Sequence, residues 1–587
     1  MANDHDKEAE VEGQPALIIS RRKMLAVLGA AGAAAALGGL GFPIKTFAAT
    51  TNVANVDTIS ALRAVSKTDY SVAMVYGYYA AGDCRHRVYY YDAADTTSSD
   101  NGGSVIVATD GGRWKIAGQR SWTCKMFGAR EDGTDQATIL GVAIAAAQAA
   151  NVPLEWDGNF SVSTLIVQGV SGHHWIGRGG LIGIAATAKD AILQFINVTD
   201  VTINGRFTID GGYNTNYTYG FHAYTNGASQ STSLYDLTNV IIVRCKTAWG
   251  FGNGSRPDDL CSEIHICGGY TFGCPQYLKA IGTQTVIQIS SANCISGYGA
   301  GTGSWTSLPA VLIESQGATV TISGGEMMCT QITHDCAFKL SAIAGATAGN
   351  QYGSITVSGV VVEVASALCF TNNNSLSSPI MGAFTFTGSR FVLTQDISGG
   401  AIQTDASFSG KIVVIGNTGF APNPRTQWNA NIGNSSCAVT VDLQSFGMNC
   451  LQGYAGINGG TPVVMDGDTP VWSTYTPTVT AQVGTITTLG PVSGRYLRRG
   501  KTILVRADIQ VTTKGTAANG VLISLPFASS SNSYIGTAYS YSTAKTGSAS
   551  IVPSVSGTTS INCWQYDGTT FFANGLKLIA EVEYELP

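Results

Sequence analysis

The sequence predicts an all-β solenoid entered through a single helix, and three observations carry that expectation. Glycine is abundant, at 71 of 587 residues, while 12% of residues are charged and 44% are hydrophobic. Disorder needs low hydrophobicity and high net charge, whereas Gly corners between Thr, Ser, Val and Ile segments suit stacked β coils. An apolar strand closed by Gly recurs at Thr202-Ile203-Asn204-Gly205, Ile264-His265-Ile266-Cys267-Gly268, Val320-Thr321-Ile322-Ser323-Gly324, Ile355-Thr356-Val357-Ser358-Gly359 and Phe384-Thr385-Phe386-Thr387-Gly388. Residues 412–416 and 439–442 continue the theme more weakly. The uneven intervals between these lines point to coils whose turns bulge into loops. The third observation is the stretch 127–160, where Asp135 can cap an Ala/Ile/Val helix that Asn151-Val152-Pro153 stops. A lid on the open end of a β stack is a physical need, because that end exposes apolar interior and unpaired edges.

Taken in order, residues 1–49 read as a targeting segment. Ser20-Arg21-Arg22-Lys23-Met24-Leu25 resembles a twin-arginine export signal, followed by an uncharged Ala/Gly-rich run over 24–44. At ~20 residues the run is long enough for a bilayer, but its weak hydrophobicity and the following Lys45 fit a cleaved signal, with cleavage near Ala48 or Ala49. This implies a secreted protein with no membrane association in the mature form; an N-terminal anchor is the alternative. Residues 52–118 predict a small β-rich domain, with a short helix carrying Ile59, Leu62 and Val65 and four strands at 73–76, 86–91, 104–108 and 112–116. The solenoid follows over 122–450. Residues 451–470 form a Gly/Pro-broken linker, and 471–587 form a C-terminal β-sandwich of alternating strands.

The phrase Phe127-Gly128-Ala129, Asp132-Gly133, Asp135, helix, extended segment resembles the entrance of right-handed parallel β-helices of the pectate-lyase-like superfamily, and in particular tailspike-type polysaccharide depolymerases. The resemblance implies a right-handed parallel β-helix with an N-terminal capping helix. Val88-Tyr89-Tyr90-Tyr91-Asp92 and Gly112-Arg113-Trp114-Lys115 resemble the small domain that precedes such helices. Trp472, Tyr475-Thr476-Pro477-Thr478-Val479 and Gly494-Arg495-Tyr496-Leu497-Arg498-Arg499-Gly500-Lys501 resemble C-terminal β-domains of phage tail proteins, which assist trimer assembly or bind glycans. By that resemblance the partner is a polysaccharide and the assembly a homotrimer. The expected activity is hydrolysis or lyase cleavage of an exopolysaccharide or capsule-like glycan. A non-catalytic adhesive or glycan-binding spike of the same fold is the alternative.

The net charge of −5 gives no electrostatic footprint for nucleic acid. Thirteen cysteines without a CxxC pair give no zinc spacing, although Cys261, Cys267 and Cys274 flank His265. No cofactor or metal is expected, and the calcium-lyase pattern is missing. Glycan hydrolysis needs two carboxylates, and a lyase needs a base beside a cation. Carboxylates are scarce in the solenoid, so Asp258, Asp259 and Glu263, with Glu326 on a later coil, are the catalytic candidates. His334 and Asp335 accompany Glu326. Arg256, Tyr217, Trp249, Tyr298 and Trp305 are the candidates for holding sugar, the aromatics because they fall in or beside Gly/Asn/Ser-rich insertions. His173, His174 and His222 read as packed or capping residues.

Overall fold

A computed structural model describes residues 52–586 apart from short internal segments, the longest being 254–260, 296–304, 330–335, 343–350, 373–379, 394–401, 421–429, 443–456 and 466–471. The expected export signal therefore lies outside the described residues.

The N-terminal unit is a five-stranded sheet plus a short helix, α1 (Ile59–Arg63). Thr58 caps α1 by accepting the Ala61 amide at 3.0 Å, and the helical spacing buries Ile59, Leu62 and Val65. The four expected strands are present at Val72–Val75, Arg87–Tyr91, Val105–Val107 and Arg113–Ile116. A fifth, Val53–Val56, pairs parallel with Val72–Val75; four residues are too few for their alternation to stand out in the sequence.

The capping helix, α2, runs Ala137–Ala149, and the Asp135 carboxylate accepts the Ala137 amide at 3.0 Å. Its buried residues Leu140, Ala143, Ile144 and Ala147 follow an i, i+3, i+4, i+7 spacing and join the solenoid core. Asn151 leaves the helix with φ 50, the left-handed conformation that Asn tolerates.

Beyond α2 the chain winds as a parallel β-helix of three sheets, with 13, 10 and 11 strands among the described residues. Every pairing within these sheets is parallel and in register. In the 13-stranded sheet Trp175, Ile203, Leu237, Ile266, Ile289 and Ile322 stack coil on coil, and all are sealed inside. Parallel strands covered on one side by their own interior explain this continuous apolar column. Trp156 and Trp175 pack at 5.0 Å between ring centroids directly beneath the cap. Most described cysteines are unpaired thiols sealed in this interior, among them Cys245, Cys294 and Cys369, where they act as small apolar side chains.

The C-terminal unit has a separate core and nine antiparallel strands. Its two edge strands are Ser473–Tyr475 and Val479–Val483, neighbours in sequence at opposite ends of the strand order. The sheet must therefore roll up until its ends meet. The Tyr475 hydroxyl donates to the Ser524 carbonyl at 3.1 Å across that seam. The two layers of the expected sandwich are thus one continuous sheet.

Candidate functional site

The most developed polar constellation lies on the outward face of the 11-stranded sheet. Phe221 and Ala223 point into the core, so strand alternation turns His222 outward. Register stacks Gln194, His222, Gly250 and Lys279 on successive coils. Gly250 is the opening in that stack. A Cβ there would stand 2.5 Å from the Tyr219 ring and 3.0 Å from the His222 ring, so only glycine lets both rings settle over the strand. Tyr219, His222 and Tyr224 layer with centroids 4.3 and 4.6 Å apart. His222 faces the Asp190 carboxylate through Nδ1 at 2.5 Å and the Gly252 carbonyl through Nε2 at 2.9 Å.

Two coils on, the Lys279 ammonium sits 3.2 Å from Glu314 Oε2. Burial, reinforced by the negative charges of Asp190 and Glu314, holds the Tyr219 phenol protonated far above its ordinary range. The face thus offers two carboxylates and an ammonium, set over the buried, neutral phenol of Tyr219. Asp190, Lys279 and Glu314 keep 39, 25 and 24% of their side-chain surface open to solvent. Such a set can move a proton at a glycosidic oxygen or a sugar carbon and neutralise a sugar carboxylate.

A second polar place lies on the 13-stranded sheet. Asp236, His265, Gln288 and Thr321 are stacked in register and, with Cys267, Ser290 and Ser323, line a groove of about 250 Å³. His265 Nδ1 is 3.5 Å from Asp236 Oδ1, and both side chains are more than half exposed. Cys261 and Cys274 point inside while Cys267 is exposed, and no three metal-ligating side chains meet among the described residues.

The residues singled out from sequence fare differently. Asp258, Asp259, Arg256, Tyr298, His334 and Asp335 lie outside the described residues. Glu263 is exposed on the 13-stranded sheet with φ 57, whereas Glu326 opens a strand of the 10-stranded sheet and donates its backbone amide to Asn293 Oδ1 at 3.1 Å. They stand on different sheets.

Three expected sugar platforms are corrected. Tyr217 is 2% exposed, and its hydroxyl donates toward the Val162 and Ser163 carbonyls and accepts the Ala185 amide. It ties coils together from inside. Trp249 is 1% exposed and packs on Phe221 and Phe251. Trp305 is 5% exposed and lies 6.3 Å from the Tyr213 ring. Rings that fill a core or the base of an insertion present no face to a ligand. His173 is packed as expected, bonded to the Val170 carbonyl at 2.7 Å, and burial lowers its pKa.

Solved structures similar to this chain include the Dettilon tailspike protein, at 14% identity and TM-score 0.40, covering 80% of this chain and 94% of that one. The enzymatically active domain of tailspike protein 2 of bacteriophage CBA120 is 12% identical with TM-score 0.45, covering 94% of this chain and 82% of that one. The tailspike protein of Acinetobacter baumannii bacteriophage Fri1, described as a capsular polysaccharide depolymerase, is 13% identical with TM-score 0.27, covering 91% and 98%. The likeness is one of overall plan. One segment has a family of its own: residues 55–118, the N-terminal sheet with α1, match the phage tail protein small four-stranded β-sheet domain.

Proposed function

We propose that this protein binds and cleaves an extracellular or cell-surface polysaccharide on the outward face of the 11-stranded sheet. It would do so as a tailspike-type depolymerase of the pectate-lyase-like superfamily, exported through Arg21-Arg22 and assembled as a homotrimer. The observation that carries the reading is the grouping of Asp190, Glu314 and Lys279 around the protonated phenol of Tyr219, on a stacked sheet whose length suits an extended chain. The phage-tail domain at residues 55–118 supports the tailspike part.

The test is incubation with a panel of acidic exopolysaccharides, following unsaturated-end absorbance beside reducing ends. Both signals rising identifies a lyase; reducing ends alone identify a hydrolase. Asp190→Asn and Glu314→Gln each keep shape and remove a carboxylate, and each should lower cleavage about 100-fold or more. Cleavage within a few-fold of the parent in both would move the site elsewhere, first to Asp258 and Asp259. No signal over a broad panel would leave the adhesive, non-catalytic reading in its place.

A further inference from the structure

Both ring nitrogens of His222 meet an oxygen. Nε2 lies 2.9 Å from the Gly252 carbonyl and Nδ1 lies 2.5 Å from Asp190 Oδ2. A carbonyl only accepts, so Nε2 carries a hydrogen and donates it. Were the ring otherwise neutral and Asp190 a carboxylate, Nδ1 and Oδ2 would be two acceptors facing each other with nothing between them. One proton must lie in that contact, either on Nδ1 as an imidazolium beside a carboxylate or on Oδ2 as an acid beside a neutral ring. In both forms the pair holds one proton more than a neutral histidine beside an ionised aspartate.

The surroundings keep that proton in place and give it one exit. The Tyr219 and Tyr224 rings flank the imidazole at 4.3 and 4.6 Å, inclined by 32 and 35°, and their π faces favour a positive ring. The Tyr219 phenol is neutral, and the Tyr224 hydroxyl donates to Gln194 Oε1 at 3.5 Å. Gln194 on the coil before and Gly250 on the coil after bring no charge, and the Lys279 ammonium, two coils on, faces Glu314. Asp190 is therefore the charged group that answers the imidazole. His222 keeps 6% of its side-chain surface open and Asp190 keeps 39%, and Asp190 Oδ1 takes no hydrogen bond among the described residues. The sealed ring holds the proton, and the open carboxyl presents it.

We propose that His222 is a positioning residue that holds this shared proton on Asp190, so that Asp190 meets the substrate as an acid and protonates the glycosidic oxygen. As the C–O bond breaks, its electron pair takes the proton and the leaving sugar departs as an alcohol. The pair is left as a neutral imidazole beside a carboxylate, and water restores the proton. The inference rests on the polysaccharide reading above and assigns the acid within that site.

The experiment has a half that needs no substrate. In the 15N NMR spectrum of the full-length protein labelled at histidine, with the signals assigned through His222→Gln and His222→Asn, Nε2 should read as N–H and Nδ1 should be shifted away from a bare ring nitrogen at neutral pH. Asp190→Asn, whose amide can donate but carries no charge, should return Nδ1 to the bare value. On a polysaccharide of the panel that the parent cleaves, His222→Gln should lower kcat about 30-fold or more and leave KM within about twofold. The alkaline limb of its kcat profile should move to lower pH by about one unit or more. A bare Nδ1 in the parent overturns the shared proton, whatever glycan is cleaved. A shifted Nδ1 with parental kcat and pH profile in His222→Gln, or a loss confined to KM, overturns the acid role and leaves the polysaccharide reading standing. A parent that cleaves no glycan overturns both proposals, whatever the spectrum shows.

Discussion

Leu234 shows how one backbone position can outrank the side chain placed on it. Register aligns Gly172, Asp200, Leu234 and Glu263 at the entry to successive coils of the 13-stranded sheet, and all four have positive φ, at 80, 58, 62 and 57. The turn demands that conformation, which costs a bulky L-residue about 1–2 kcal/mol. Leu234 gains little in return, being 54% exposed. Leu234→Gly is expected to raise the midpoint of thermal unfolding, since the relief of strain exceeds the added unfolded-state entropy. A lowered midpoint would show the exposed leucine to be making contacts that matter. Glu263 shares this column, so its outward pose is set by the turn. Asp157 offers a second test at this scale. Burial raises its carboxyl pKa, although its Oδ1 accepts the Lys125 amide at 3.2 Å. An acid whose folded pKa is raised adds stability only while protonated, and that stability is lost as pH climbs from the unfolded value of about 3.9 through the folded one. Asp157→Asn should therefore be more stable than the parent at pH 7, with the gap closing below about pH 4. A gap that widens on acidification would reverse the sign.

Among the elements, the turn that ends each strand of the 13-stranded sheet explains which coils the sequence displays and which it hides. Gly205, Asn239, Gly268, Ser291, Gly324, Gly359 and Gly388 all have positive φ at that turn. Where the residue is Gly the strand-then-Gly phrase is plain. Where it is Asn239 or Ser291 the same turn is made with a different side chain, and two coils disappear from a reading by eye. The cap helix was legible because its stripe is local. The polar face was not, because Asp190, His222, Lys279 and Glu314 come from separate coils and meet only through inter-coil register; the one local sign was His222 between two inward residues. Tyr217 was misread for a related reason, its Gly/Asn-rich flanks being corners of the coil. Tyr217→Phe leaves the buried Ala185 amide without its acceptor and should cost about 1–3 kcal/mol in denaturant unfolding. A loss below 0.5 kcal/mol would mean the amide finds another partner. Leu140→Ala should cost about 2–5 kcal/mol of cap stability.

At the scale of the whole molecule, the described residues gather in three hydrophobic cores, one for each unit. Cores that do not merge need not melt together, so calorimetry should resolve more than one transition. Removal of 472–587 should delete one transition and leave the solenoid's own; one transition in the parent, lost as a whole on truncation, would contradict this. The truncated chain also tells whether the C-terminal sheet holds the proposed trimer together, by its mass in light scattering. The tryptophan pair under the cap gives such experiments an optical signal. Trp156 and Trp175 lie 5.0 Å apart and inclined at 54° in a sealed site, close enough for their excited states to couple and oblique enough for the coupling to be chiral. The protein should carry an exciton couplet in the indole region of its circular dichroism, seated at the end of the rod where α2 covers it. Fraying from that end would erase the couplet while the β signal of the later coils persisted, so the order in which the two bands fade on heating would give the direction in which the rod unwinds.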